Sequence, residues 1–387
     1  MARILILGGG FAAVSAAETL ADAIGNEDEI ILVSKNSDFT LFPAIVPMIF
    51  GDFATDEIQF DLRPKLLERG IRFIQGEVHA INLASRTVEV SGDGIDSKIR
   101  FDYLLLAVGR RLSGEFIPGL FEHSHNIMSI EAALKFKEAI SAFKNGSIVV
   151  GLAPGALLPV PVCESALALA ERFSSGIRNG NVSVSVIVPT SVADAFAGGA
   201  LFRDIEGQFD RMGIRLVSDF AVTKVDETQI HSANGHTLRH DLLMLIPPFG
   251  GHLSTRSGFP MTNLSGFVKV NTMMQVEDVD RVYAAGEIVA MPGPKFGYMA
   301  IRQGKVAAAN ILAELSGEKP AAEYIHKIAW AIGEKYAHPV FFHYGFWDET
   351  LDDFDENALL GMAKTVRERY GPVTIPESGE YFTAAQV

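Results

Sequence analysis

Short, mainly apolar runs recur along the chain, too compact for amphipathic helices and most of them ending at glycine or proline. Ile4 to Leu7, "EIILV" (Glu29 to Val33), "FDYLLLAVG" (Phe101 to Gly109), "SIVVG" (Ser147 to Gly151), "VSVSVIVP" (Val182 to Pro189) and "DLLMLIPPFGG" (Asp241 to Gly251) all have this form. Runs of this kind predict parallel strands buried on both faces. Between the first two, Ala16, Ala17 and Leu20 carry a helical spacing, so residues 1–35 read as strand, loop, helix, strand. Gly146 to Pro189 repeats that order. Asp280 to Leu315 reads as a strand, a G-E turn, a loop and a long helix. The pattern is that of an α/β protein with two βαβ units.

Composition narrows the classes. A length of 387 residues suggests two or three domains, and 48% apolar residues allow a large core. The net charge of −14 argues against a nucleic-acid partner. A single cysteine excludes an intramolecular disulfide and any cysteine-clustered metal site, and the ten histidines show no ligand spacing, so no metal site is expected. The opening "MARILIL" enters a strand at once, which predicts no signal peptide. The longest uncharged run, Gly146 to Cys163, holds Pro154, Pro159 and Pro161 and is a poor membrane span. A soluble cytoplasmic protein is the expectation.

The first strand–helix junction carries chemistry. Gly8, Gly10 and Ala13 fall in the G-x-G-x-x-G/A spacing. Gly8 permits a tight turn, Gly10 lets the backbone approach a pyrophosphate, and Ala13 is small enough for close helix–strand packing. Phe11 and Ala12 then lie at the helix N-terminus, whose free N–H groups and dipole favour an anion. After the second strand a ribose-binding carboxylate is expected, but "VSKNSD" places only Ser34 there, followed by Lys35. Ser34, Lys35 and Val78 are counted as cofactor-binding candidates, and which dinucleotide is held stays open.

Two distant segments carry a resemblance. The "FDYLLLAVG" strand and "DRVYAAGEIVAMPGPKFGYMAIRQGKVAAANILAEL" together resemble the two-dinucleotide-domain flavoproteins of the pyridine nucleotide–disulfide oxidoreductase type. The likeness is nearer to sulfide:quinone oxidoreductase and the flavoprotein subunit of flavocytochrome c sulfide dehydrogenase, with type II NADH dehydrogenase next. It covers nearly the whole chain, including "GFVKVNTMMQ" and "EYIHKIAWAIGEKYAHPVFFHYGFW". It implies FAD as cofactor. It also implies that Ala107 and Gly109 close over the first domain, that Glu287 after Gly286 meets the ribityl chain, and that Pro294, Lys295, Phe296, Gly297 and Tyr298 face the isoalloxazine. Pro43 and Pro47 in "LFPAIVP" match a loop lining the flavin. Glutamate at 287 departs from the family's aspartate. A lysine and a helix dipole end near N1 and O2 would stabilise reduced flavin.

The second loop, Gly151-Leu-Ala-Pro-Gly155-Ala, departs from a dinucleotide loop: Pro154, Pro159 and Pro161 lack N–H groups and the glycine spacing is wrong. The sulfide-oxidising relatives place a reactive cysteine near this point, followed by a glutamate that Glu164 matches. The cysteine position falls near Leu158, Cys163 lies one helical turn away, and the C-terminal region has no second cysteine. Cys163 then reads either as a small buried apolar side chain or as a thiolate acidified by the helix N-terminus beside the flavin. Glu164 reads as a proton shuttle or as a first-turn carboxylate favoured by the helix dipole. Catalytic candidates are Cys163, Glu164 and Lys295.

Gln303 and Tyr298 are the candidates for a quinone pocket, implied by an A-x-x-Q turn in the same relatives. Trp330, Tyr336, Phe341, Phe342, Tyr344, Phe346 and Trp347 predict a small C-terminal core, and Ala358 to Gly371 a basic helix packed on the protein or on a membrane face. The expected organisation is an FAD domain from residues 1–112 and 266–320, an inserted degenerate Rossmann-like domain at 113–265, and a C-terminal sheet–helix domain at 321–387. The expected activity passes two electrons from sulfide, NAD(P)H or another small donor through FAD to a quinone-like acceptor. A non-catalytic flavin subunit docked on a redox partner is the other reading, and a homodimer is left open.

Overall fold

The computed structural model describes residues 2–325 apart from 26, 93–94, 192–194, 196–198, 253–258, 260–261 and 292–294; beyond 325 it describes the strands Lys327–Trp330 and Phe342–Gly345. The chain opens with β1 (Arg3–Leu7), α1 (Phe11–Ala21), β2 (Glu29–Ser34), α2 (Ile45–Phe50), β3 (Arg72–Gln75) and β4 (Tyr103–Leu106). A short β5 (Arg110–Leu112) leads to β6 (Gly146–Leu152), α3 (Pro159–Arg172), β7 (Val182–Ile187), β8 (Ile214–Val217) and β9 (Leu242–Ile246). The chain returns through β10 (Phe249–Gly251) to β11 (Val282–Ala284) and α4 (Gly297–Leu315).

Two parallel sheets result. The first has the order β11-β4-β1-β2-β3, with Leu7 opposite Val33 on one side and Leu106 on the other. The second has the order β8-β7-β6-β9. Their central strands are apolar at successive positions because both faces are covered; Ile4 to Leu7 are wholly buried. In each unit the glycine-bounded loop after the first strand delivers a helix, α1 or α3, onto the sheet.

Two features position the site. The lobes are linked by an antiparallel crossing of β5 and β10, with Arg110 opposite Gly251 and Leu112 opposite Phe249. A Cβ at Gly251 would lie 1.7 Å from the Gly266 carbonyl oxygen, so only glycine fits that crossing. In the first lobe, α4 lies tightly on α1. A Cβ at Gly304 would lie 2.4 Å from the Ala12 carbonyl oxygen, and the Ser15 hydroxyl donates to the Ile301 carbonyl at 3.1 Å.

The apolar core does not follow the division between sheets. One cluster joins Leu41, Ile45, Met48 and Ile49 around α2 to Val150, Val162 and Leu167 of the second lobe, and to Phe296 and Tyr298 at the start of α4. The two C-terminal strands pair antiparallel, Lys327 opposite Gly345. The expected helix at 358–371, Pro294, and the aromatics Tyr336, Phe341, Phe346 and Trp347 lie outside the described residues.

Candidate active site

The first loop folds as its glycines require. Gly8 has φ +116°, and a Cβ there would sit 2.1 Å from the Ala107 carbonyl oxygen. A Cβ at Gly9 would lie 2.7 Å from the Ser34 hydroxyl oxygen, so Ser34 packs on the loop itself. At Gly10 a Cβ would meet nothing within 4 Å. Gly10 is the N-cap of α1, with no side-chain cap and no acidic residue in the first turn. An uncapped helix N-terminus behind a bare backbone suits a phosphate, and these residues fit the pyrophosphate of a dinucleotide.

From Gly10 a cavity with about 1010 Å³ of empty space, its open mouth included, runs between the lobes. Gly10, Phe11 and Ala12 line it, together with Ala107, Gly109, Gly286 and Glu287. Lys295, Phe296, Gly297 and Glu164 lie on its walls, with Phe42, Pro43, Val46, Met128, Leu158 and Pro161 as apolar surface. The cavity thus combines an uncapped backbone cradle with a mostly apolar chamber and few polar groups, the usual make-up of a cofactor site.

Glu164 is the main acid–base candidate. Its side chain is buried and, among the described residues, makes no hydrogen bond or ion pair. Burial pushes its carboxyl up to about 8, so it is mostly neutral at pH 7. The helix bearing it starts at Pro159, which places Glu164 at the sixth residue of α3, in the second turn. The first-turn dipole reading of Glu164 is therefore corrected.

The acidified-thiolate reading of Cys163 is also corrected. Its thiol is fully buried in the apolar cluster beneath α3, away from the cavity lining. Burial, with the neighbouring Glu164 adding to it, pushes the thiol well above its ordinary value. A thiolate there is disfavoured.

Lys295 reaches the cavity wall, but its ammonium donates to the Val289 and Met291 carbonyls at 2.5 and 3.1 Å and lies 5.3 Å from the Phe267 ring centroid. Burial pulls its amine down to about 8, partly offset by the attraction of Glu287. Glu287 lines the cavity, and its carboxylate lies 3.4 Å from the Arg110 guanidinium. The expected Glu287 carboxylate is thus shared with an arginine that the sequence reading did not single out. The available signal was the pair Arg110-Arg111 following the "AVG" strand end in an acidic chain.

The other candidates divide. Ala13 is fully buried in the core of the first lobe. Tyr298 is buried, stacked on Phe296 with ring centroids 6.0 Å apart, and is not part of the cavity lining. Gln303 accepts from the Gly286 N–H at 2.7 Å through its amide oxygen and is buried; it braces the Gly286–Glu287 turn. Lys35 pairs with Glu77 on the surface, and Val78 packs in the core opposite Val90. Among the described residues no cluster of metal-ligating side chains and no helix long and apolar enough to cross a membrane is present.

Comparison with known proteins agrees with this architecture. The chain is 27% identical over 342 residues to an oxidoreductase, ptaL, of Pestalotiopsis fici, covering 83% of this chain and 85% of that protein. It is 24% identical over 327 residues to the type II NADH:quinone oxidoreductase NdhA of Mycobacterium tuberculosis, covering 75% and 67%. The solved structure of the sulfide:quinone oxidoreductase of Aquifex aeolicus superposes with a TM-score of 0.78 at 23% identity, over 89% of this chain and 87% of that one. The family model for pyridine nucleotide-disulphide oxidoreductases matches residues 2–304, and the chain belongs to that family.

Proposed function

We propose that the protein is an FAD-dependent oxidoreductase that passes two electrons from a reductant to a quinone-like acceptor. The observation that carries this reading is the single cavity running from the bare Gly10 cradle to the buried carboxyl of Glu164. FAD bound there would supply two-electron chemistry. Gly10 and the N-terminus of α1 would hold its pyrophosphate, and Glu287 would accept from its ribityl hydroxyls. Phe296, Gly297 and Pro43 would bound its ring system. Glu164, neutral at pH 7 and facing an apolar chamber, would hold or deliver the proton that accompanies electron transfer. The apolar walls suit an uncharged ring as acceptor.

The donor divides the reading. Similarity to NdhA favours a nicotinamide dinucleotide. Against it stands the start of α3, where Pro159 and Pro161 remove two of the first three N–H groups that a pyrophosphate would use. Similarity to the Aquifex structure favours sulfide, and the buried, raised thiol of the one cysteine weighs against a sulfur relay. Contact with a membrane face would come from the C-terminal region.

The test is an anaerobic titration of the reconstituted flavoprotein with NADH, NADPH and sulfide separately, followed by reoxidation with a short-chain quinone. Bleaching by one donor and return of absorbance with quinone is the expected result. Failure of the protein to bind FAD would end the proposal, and a flavin that no donor reduces would favour the partner-docked reading.

A further inference from the structure

Arg110 begins the β5 strand that carries the chain from the first lobe to the second, directly after Gly109 with its φ of +69°. Its side chain is only 9% exposed. It sits over the Phe249 ring, 4.0 Å from the centroid, and an Nη lies 3.4 Å from the Met128 sulfur. A ring face and a thioether are soft neighbours, weaker partners for a guanidinium than a carboxylate or a carbonyl oxygen. The Nε is 3.4 Å from Glu287 Oε1, too poorly aligned for a hydrogen bond, and has no hydrogen-bond partner among the described residues. Both Arg110 and Glu287 line the cavity. A buried, under-satisfied cation is costly, and it is tolerable where an electron-rich group enters beside it.

We propose that Arg110 is a positioning residue for the bound flavin, which through its ion pair with Glu287 sets the balance between the oxidised and reduced cofactor. The proposal rests on the flavin reading above. Two-electron reduction with uptake of one proton adds one negative charge to the ring system. With both side chains present, the local charges cancel. Without Arg110, the Glu287 carboxylate opposes that added charge; without Glu287, the guanidinium favours it. Lys295, the other cation on the cavity wall, is held by two carbonyls and is drawn by Glu287 as well, so the titrations are run at about pH 6, where its amine stays protonated with or without that carboxylate.

The experiment compares the full-length, FAD-loaded protein with Arg110→Met, Arg110→Lys, Glu287→Gln and the Arg110→Met/Glu287→Gln double variant. Each is titrated anaerobically with dithionite against a reference dye, and FAD affinity is measured on each apoprotein. Arg110→Met is expected to shift the reduction equilibrium about tenfold toward oxidised flavin, which is ~30 mV for a two-electron couple. Glu287→Gln is expected to shift it the other way, and the double variant to lie within about threefold of wild type. Arg110→Lys, which keeps the charge, is expected to shift it less than Arg110→Met. Single variants that bind FAD and shift in the same direction, or not at all, overturn the proposal while leaving the flavin reading intact. If Arg110→Met does not fold, the direction of the Glu287→Gln shift decides. A wild-type protein that binds no FAD overturns both.

Discussion

Gly8 and Gly10 are two residues apart and resist substitution for opposite reasons. At Gly8 the backbone is left-handed and a Cβ would strike the Ala107 carbonyl, so Gly8→Ala is expected to destabilise the fold by about 2 kcal/mol or more. At Gly10 the space is open and φ is −88°, so Gly10→Val is expected to change stability by roughly 1 kcal/mol or less. It should nonetheless weaken FAD binding strongly, because its side chain occupies the path of the phosphate. Thermal melting of the apoproteins and FAD titration separate the two effects. Equal melting temperatures for both variants would contradict the geometry.

Also at this scale, two buried groups make stability depend on pH in opposite senses. Glu164 is raised from 4.5 to about 8, so between those values the folded chain holds a proton that the unfolded chain has lost. Its contribution to stability therefore falls as pH rises across that window, by an amount on the order of a few kcal/mol. Lys295 is lowered from 10.5 to about 8, so between about 8 and 10.5 the unfolded chain binds more protons and its contribution rises with pH. Apoprotein melting at pH 6, 7 and 8 is expected to fall more steeply for wild type than for Glu164→Gln; parallel slopes would refute the buried-carboxyl assignment. Glu164 was nameable from its place in "PVPVCESA", but its burial, and hence its neutrality, depends on which walls fold over it.

At the scale of elements, α4 and α1 touch backbone to backbone at one glycine. Gly304→Ala is expected to cost about 1–3 kcal/mol, because the clash is with Ala12 main chain that cannot move aside. Gly207, in the helix Gly199–Met212, has only ordinary contact at its Cβ position, and Gly207→Ala is expected to stabilise by about 0.5–1 kcal/mol. Urea unfolding of both variants checks the contrast. The α3 helix shows what patterning misses. Its two early prolines read as loop, yet the first helical turn has unpaired N–H groups in any case, so Pro159 and Pro161 are accommodated there. That is why the helix begins early and Glu164 lies in its second turn.

Across the whole molecule, the shared apolar cluster couples the lobes: α2 from the first packs against α3 and the helix Ile130–Ala142 of the second, and the cluster extends to the start of α4. Ile49, 2% exposed, lies in that cluster. Ile49→Ala is expected to cost about 2–5 kcal/mol and to lower the melting of both lobes together, seen as one calorimetric transition rather than two. Resolved transitions moving independently would refute the coupling.

The strands, the two βαβ units and the Gly8–Gly10 turn were determined by the sequence alone, because burial on both faces and φ above zero act on residues that are neighbours in the chain. The ion pair of Arg110 with Glu287 joins positions 177 residues apart. The bracing of the Gly286 turn by Gln303, the insulation of Cys163 and the neutrality of Glu164 are of the same kind. These rest on distance and solvent exclusion between elements, which no local pattern encodes, and only the tertiary structure decided them.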